Sequence, residues 1–318
     1  MHITACTLKD NNTTTLIIKF MKRFIVLLIP LLSMTFMQAE AQELSVKMEE
    51  LNALQFKEAV GKSAKTAILP IGVLEKHGPH MPLGTDVFTA RALAVQAAEK
   101  EYAVVFPWYY FSQINEAKHQ PGTMAYSPEL IWAVLQETLD ELSRNGFEKI
   151  IIVNGHGGNN AFLEYFCQCQ LSQKRDYSVY LYLTSYDPDV IRKAESMTMH
   201  DKYDQHAGNR ETSMVKAIVP DLVHPELAGQ QSGTDLDRIG NLSHVYTGIW
   251  WYASYPNHYS GDGSKATYEA GKLILDSVVE DLTEVIRSVK ADRNVPELQE
   301  RYFMEAENPL DTGQPYIQ

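Results

Sequence analysis

Two short runs, Thr66 to Val73 and Lys149 to Val153, are apolar at nearly every position. A strand with one wet face alternates apolar and polar residues, so runs without alternation predict strands covered on both faces, as in a parallel sheet between helices. Helical spacing follows the first run, with Ala, Leu and Val recurring from Val87 to Glu101. Ser127-Pro128 supplies an N-cap and a first-turn proline for a helix to about Asn145, which Gly146 ends. After the second run, Asn159-Asn160 is expected to cap a helix from Ala161, with Phe162, Tyr165, Phe166 and Cys169 on one face. Further strands are expected at Ala103 to Tyr110 and Tyr177 to Thr184, and further helices from about Asn209 to Ile218 and from Ala266 to about Val289. This alternation predicts an α/β chain, a three-layer α/β/α sandwich with a mostly parallel central sheet.

The N-terminus is set aside from that pattern. Met21-Lys22-Arg23 precedes an apolar stretch from Phe24 to Met37, and Ala39-Glu40-Ala41 follows with the small-x-small spacing a signal peptidase accepts. Residues 21–41 are therefore expected to be a cleaved signal, with residues 1–20 upstream of the true start at Met21. The apolar stretch is shorter than the roughly 18 residues a membrane span needs. Periplasmic or secreted localisation follows as the expectation, with no membrane partner after cleavage. Residues 42–318 are expected to form a single domain, since no Pro/Gly/Ser-rich linker or repeat divides them. Without residues 1–41, which carry four basic and two acidic residues, the net charge moves from -12 to -14. A chain that acidic is a poor fit for nucleic acid. Cys167 and Cys169, two apart on an expected helix, point to different faces and are not expected to pair.

Both apolar runs end in potential ligands. The first leads into Glu75-Lys76-His77-Gly78-Pro79-His80-Met81-Pro82-Leu83-Gly84-Thr85-Asp86, and the second into Asn154-Gly155-His156-Gly157-Gly158-Asn159. Imidazole nitrogen with carboxylate oxygen suits a hard or borderline divalent ion, and the carboxyl ends of parallel strands are where such sheets gather ligands. With no thiolate in the set, zinc or manganese is favoured, with iron a further option.

The segments "LPIGVLEKHGPHMPLGTD", "HQPGT", "VNGHGGN", "HAGNRETS" and "ATYEAGK", in that order over nearly all of residues 42–318, resemble the creatininase family of metal-dependent amidohydrolases. The resemblance implies two divalent ions per chain, with Glu75, His77, Asp86 and His156 as ligands. Asp86 would bridge, Glu75 and His156 would hold one ion, and His77 with a further carboxylate the other. It also implies a homo-oligomer, a hexamer in particular. His206 resembles the family's proposed general acid or base, although a histidine in a Gly-containing loop also suits a structural hydrogen bond.

The chain departs from that family at one ligand. Creatinine-hydrolysing members resemble "NGHxE" at the second motif, whereas this chain has Gly158 at the acidic position. Glu211 is the expected replacement, a residue that equally suits a first helical turn with no ion. His119 and Thr123 are expected on the pocket wall, with His80 behind the ligands. Tyr186, and Lys202 or Tyr203, stand near the two tryptophans that close over creatinine in its specific enzymes, which argues against creatinine as substrate. Trp250, Trp251, Tyr252, Tyr255 and Tyr259 suit packing in a core or interface, or a pocket lining. His200, His224, His244 and His258 lie in no motif and are expected at the surface or pocket rim. The function expected is hydrolysis of a C–N bond in a small cyclic or linear amide by metal-activated water. The alternatives are the same centre acting on a keto-sugar or cyclitol-type substrate, and a non-catalytic periplasmic protein that binds a metal or solute.

Overall fold

The computed structural model of the protein describes residues 43–198 and 203–310. The expected signal at 21–41 lies outside the described residues, as do His200 and Lys202. The described residues from Ser45 onward form one compact unit. Among the described residues, no helix is long and apolar enough to cross a membrane.

Among the described residues four parallel strands form the sheet: β1 (Thr66–Ile71), β2 (Val104–Val105), β3 (Lys149–Asn154) and β4 (Ser178–Leu183), in the spatial order β2-β1-β3-β4. All six residues of β1 and five of the six in β3 are buried, which explains the missing alternation in those runs. β2 is much shorter than the Ala103 to Tyr110 expected. On the β1 side Ile68 accepts from Phe106 N and Gly72 donates to Tyr109 O, but Pro70 between them has no N–H to give, so the ladder stops after Val105 and the strands meet again at a bridge between Ile71 and Tyr109.

Helices α1 (Ala53–Lys62), α2 (Thr85–Lys100), α3 (Pro128–Arg144), α4 (Asn160–Cys169), α5 (Pro188–Met197), α6 (Asn209–Ile218), α7 (Trp250–Ser254), α8 (Tyr268–Ala291) and α9 (Asn294–Glu307) surround it. On one face Ile68, Ile151 and Val153 share a core with Leu93 and Ala94 of α2 and Ile274, Val278 and Leu282 of α8. The other face takes α4, which packs on β4 and sets Phe166 5.0 Å from the Trp132 ring of α3. The result is the three-layer sandwich.

Local signals account for some of the boundaries. Ser127 accepts from Leu130 N at the start of α3, and Gly146 ends the turn beyond it with φ +103. Asn159 behaves otherwise than expected. It makes no capping bond to α4, because its Oδ1 accepts from Ser112 Oγ and Gln113 N and ties the two loops together. α1, α5, α7 and α9 have no counterpart in the sequence expectations, although Asp187-Pro188 carries a cap-and-proline signal for α5. Cys167 and Cys169 are unpaired thiols.

Candidate metal centre

The strand order reverses at β1, with β2 on one side and β3 on the other, so the carboxyl ends of β1 and β3 flank a topological switch point. Glycines bring the start of α2 against that point. A Cβ on Gly72, just after β1, would lie 2.5 Å from Val87 N, and one on Gly155, just after β3, would lie 2.5 Å from Asp86 O. Bare backbone at both positions lets the first turn of α2 sit between the strand ends, with Asp86 carried in that turn. The β1 loop closes on itself through Glu75 N to Leu83 O at 3.0 Å, placing Glu75 and His77 beside Asp86.

The polar atoms converge. Asp86 Oδ1 lies 3.1 Å from His77 Nε2, and Asp86 Oδ2 lies 3.2 Å from His156 Nδ1. His156 Nδ1 is also 2.8 Å from Glu75 Oε1, and His77 Nε2 is 3.6 Å from Glu211 Oε1. Glu211, in the first turn of α6, accepts from Ala207 N at 2.5 Å through its other oxygen. Three groups therefore offer clustered ligand atoms: Glu75, Asp86 and His156; His77, Asp86 and Glu211; and Glu75, His77 and His206.

These residues fit a metal. Two atoms bound to one ion at about 2.0–2.2 Å lie about 2.8–3.6 Å apart, the range of the separations here. Glu75 Oε1 and Asp86 Oδ2 are buried without a hydrogen-bond partner, although His156 Nδ1 lies close to both, as expected of atoms aimed at a common centre. Among the described residues no Lys or Arg pairs with these carboxylates, and Lys76 reaches away to Gln120 Oε1 and Asn257 O. The imidazoles supply the balancing charge. Burial disfavours protonated His77, yet Asp86, Glu211 and Glu75 hold its pKa well above the usual value, and Glu75 and Asp86 do the same for His156 against its burial. Burial likewise works against ionised Glu211, but His77 brings its pKa down to about 2. A divalent ion would displace such protons.

His206 lies over this centre. Its ring lies against that of His77, tilted by 30° with centroids 4.2 Å apart, its Nε2 donates to Lys76 O at 3.1 Å, and burial followed by the charge on His77 lowers its pKa to about 4. It is a neutral imidazole at neutral pH. His258 corrects the surface or rim expectation: it is 2% exposed, and its Nε2 donates to Glu75 Oε2. Trp251 Nε1 donates to His258 Nδ1 at 2.8 Å, and because an indole can only donate, this sets the imidazole tautomer. No spacing signal announces His258; its only sequence mark is its place among aromatic residues.

A cavity of about 660 Å³ opens on the centre, lined among others by Glu75, Asp86, Glu116, Phe162, Trp250 and Trp251. Tyr186 lines a smaller adjoining cavity of about 240 Å³ that shares His156 and Glu211, where Arg210 lies over its ring. His119 and Thr123 line neither cavity. Gly122 packs against Leu83 and Met124 N bonds Leu74 O, fastening that loop to the outer side of the β1 loop, where His119 Nε2 donates to Pro256 O. His80 sits behind the ligands, with Nε2 2.9 Å from Thr212 Oγ1. The aromatic stretch divides: Trp250 and Trp251 face the cavity, while Tyr255 and Tyr259 are core.

A family model described as "Creatininase: Creatinine amidohydrolase" matches residues 49–286. The chain is 27% identical over 266 residues to a creatinine amidohydrolase of Pseudomonas putida, covering 76% of this chain and 96% of that protein. It is 26% identical to a 3-dehydro-scyllo-inosose hydrolase of Thermotoga maritima, over 72% and 78% of the two chains. It is also 29% identical to a mycofactocin precursor peptide peptidase of Mycolicibacterium smegmatis, over 71% and 86%. A crystal structure of creatinine amidohydrolase superposes with a TM-score of 0.65 at 25% identity, over 78% of this chain and 99% of that one.

Proposed function

The chain belongs to the creatininase family of hydrolases, and from that premise we propose that it is an exported amidohydrolase with two divalent ions, of zinc or manganese, cleaving a C–N bond in a small amide. One observation carries the two-ion reading. Asp86 turns one oxygen toward His77 and the other toward His156, the disposition of a bridging carboxylate. In this reading Glu75 and His156 would hold one ion with Asp86, and His77 and Glu211 the other. When bound, such a pair supplies a water of depressed pKa and polarises the amide carbonyl.

The chain's own groups do the rest. With Nε2–H given to Lys76 O, His206 is a neutral imidazole held over the centre, the state in which a general base or acid of the reaction would be needed. Trp251 and His258 hold one oxygen of Glu75 and leave the other for a ligand bond. Two divalent ions would balance the four carboxylates Glu75, Asp86, Glu116 and Glu211, so the centre would carry no excess positive charge, and Phe162, Trp250 and Trp251 offer planar apolar walls to an uncharged substrate. The cavity volume suits an amide larger than creatinine, in line with the relative named as a peptide peptidase.

Elemental analysis of the purified protein should find about two ions per chain. Well under one ion after reconstitution would sink the proposal, and a screen of cyclic amides, lactams and short peptides should then identify the amide, with creatinine a poor substrate. The second reading, a keto-cyclitol substrate at the same centre, is supported by the Thermotoga relative; turnover of cyclitol ketones but no amide would select it. Export predicts a mature N-terminus near Gln42 in the native host, tested by N-terminal sequencing. A homo-oligomer, hexameric by family resemblance, predicts more than a monomer by light scattering at micromolar concentration.

A further inference from the structure

Gly158 stands where the resemblance leads one to expect a carboxylate, and the space beside it is already taken. A side chain at 158 would collide with His156 Nε2 and place its Cβ 2.5 Å from Glu116 Oε1. Glu116 comes from the loop between β2 and α3, and Gln113 Nε2 donates both to its Oε1 at 3.3 Å and to Gly158 O at 3.2 Å. The carboxylate is thus held against the Gly157-Gly158 turn, facing the ring of His156.

That ring has one nitrogen to spare. His156 presents Nδ1 to Glu75 and Asp86, and its Nε2 is buried with no hydrogen-bond partner. An imidazole that ligates through Nδ1 carries its proton on Nε2, and ligating histidines nearly always give that proton to a second acceptor. Glu116 Oε1 is 3.8 Å away, so a shift of about 1 Å in one side-chain end makes the bond. We propose that Glu116 is the positioning carboxylate of the centre, accepting His156 Nε2–H and fixing Nδ1 as the ligand atom, and that Gly158 is kept bare to admit it. The inference rests on the metal reading above. It makes the loss of an acid at 158 a rearrangement in which a carboxylate from another loop takes up the adjoining space.

The test uses the mature protein loaded with zinc, comparing wild type with Glu116→Gln, Glu116→Ala and Gly158→Ala. Zinc affinity at each site is measured by chelator competition, and the His156 ring nitrogens by 15N NMR. We expect Glu116→Ala to weaken one of the two ions by about 10–100-fold and leave the other unchanged. Gly158→Ala, which pushes the carboxylate aside, should match it. Glu116→Gln keeps an accepting oxygen and should lose less; being isosteric, it also serves should the alanine variant fail to fold. In the wild type Nε2 should be protonated and Nδ1 metal-shifted. Two ions bound by the wild type and by Glu116→Gln and Glu116→Ala with equal affinity, or a metal-shifted Nε2, would overturn the inference alone. Wild-type protein that binds no zinc would overturn the metal reading and this inference with it.

Discussion

The two halves of the centre share Asp86 but are built differently. Toward β3, the side chains of Glu75, Asp86 and His156 are 0%, 2% and 7% exposed, and Glu75 is braced from behind by His258 and Trp251. Toward α6, His77 is sealed but Glu211 is 28% exposed and held by one backbone bond. The first half is set by packing around strand ends; the second is completed by a helix start that opens on the cavity. The expected consequence is a tightly held ion on the Glu75 side and a more exchangeable one on the Glu211 side.

Removing the shared ligand should abolish the distinction. Asp86→Ala should take the protein from about two ions toward none, with turnover lost, because a bridge serves both ions. Metal content by mass spectrometry checks it, and retention of either ion at full occupancy would break the assignment.

Next in size is the close approach on which both halves depend. Gly155→Ala drives a Cβ onto the Asp86 carbonyl, a backbone contact that no side-chain rotation relieves. Overpacking of this kind costs about 1–3 kcal/mol, so thermal denaturation of the metal-free protein should show a clear fall in Tm, and both ions should weaken together. A variant with unchanged Tm, or with only one ion affected, would show that the α2 start is not what holds the halves in common.

Glu211→Gln should separate the halves. It removes a charged ligand candidate from one side only, so the stoichiometry should fall by about one ion while the Glu75 and His156 ion stays and the fold is retained. If Glu211 is only a first-turn carboxylate, the substitution costs at most about 1 kcal/mol of stability and leaves metal content alone.

The same contrast governs what the sequence discloses. Strand-end motifs are local, so Glu75, His77, Asp86 and His156 stand out in two short segments, and the runs before them give the parallel sheet because both faces are buried. The cap at Ser127 is legible for a similar reason: its bond is to a residue three positions on. Glu116 and His258 are not legible, since neither sits in a pattern and His258 meets Glu75 across 183 residues of chain. The placement of His119 and Thr123 fails for the same cause, because which side of a loop faces the cavity depends on what the loop packs against. The sheet order is also tertiary, and β2 shows how a proline on the neighbouring strand shortens a run that composition alone would extend.

The smallest effect should come from Trp251→Phe, and it tests why the Glu75 half is rigid. The indole N–H fixes His258 Nδ1 as an acceptor, so Nε2 carries the proton that meets Glu75. Phenylalanine keeps much of the aromatic wall but frees His258 to adopt the other tautomer, which would turn a lone pair toward Glu75. A hydrogen bond of this kind contributes about 0.5–1.5 kcal/mol, so affinity for the Glu75-side ion should fall by less than about tenfold while the Glu211-side ion is unaffected. Chelator competition resolves a difference of that size. An equal loss at both sites would mean that Trp251 acts by packing over the whole centre, and that the two halves are less independent than their burial suggests.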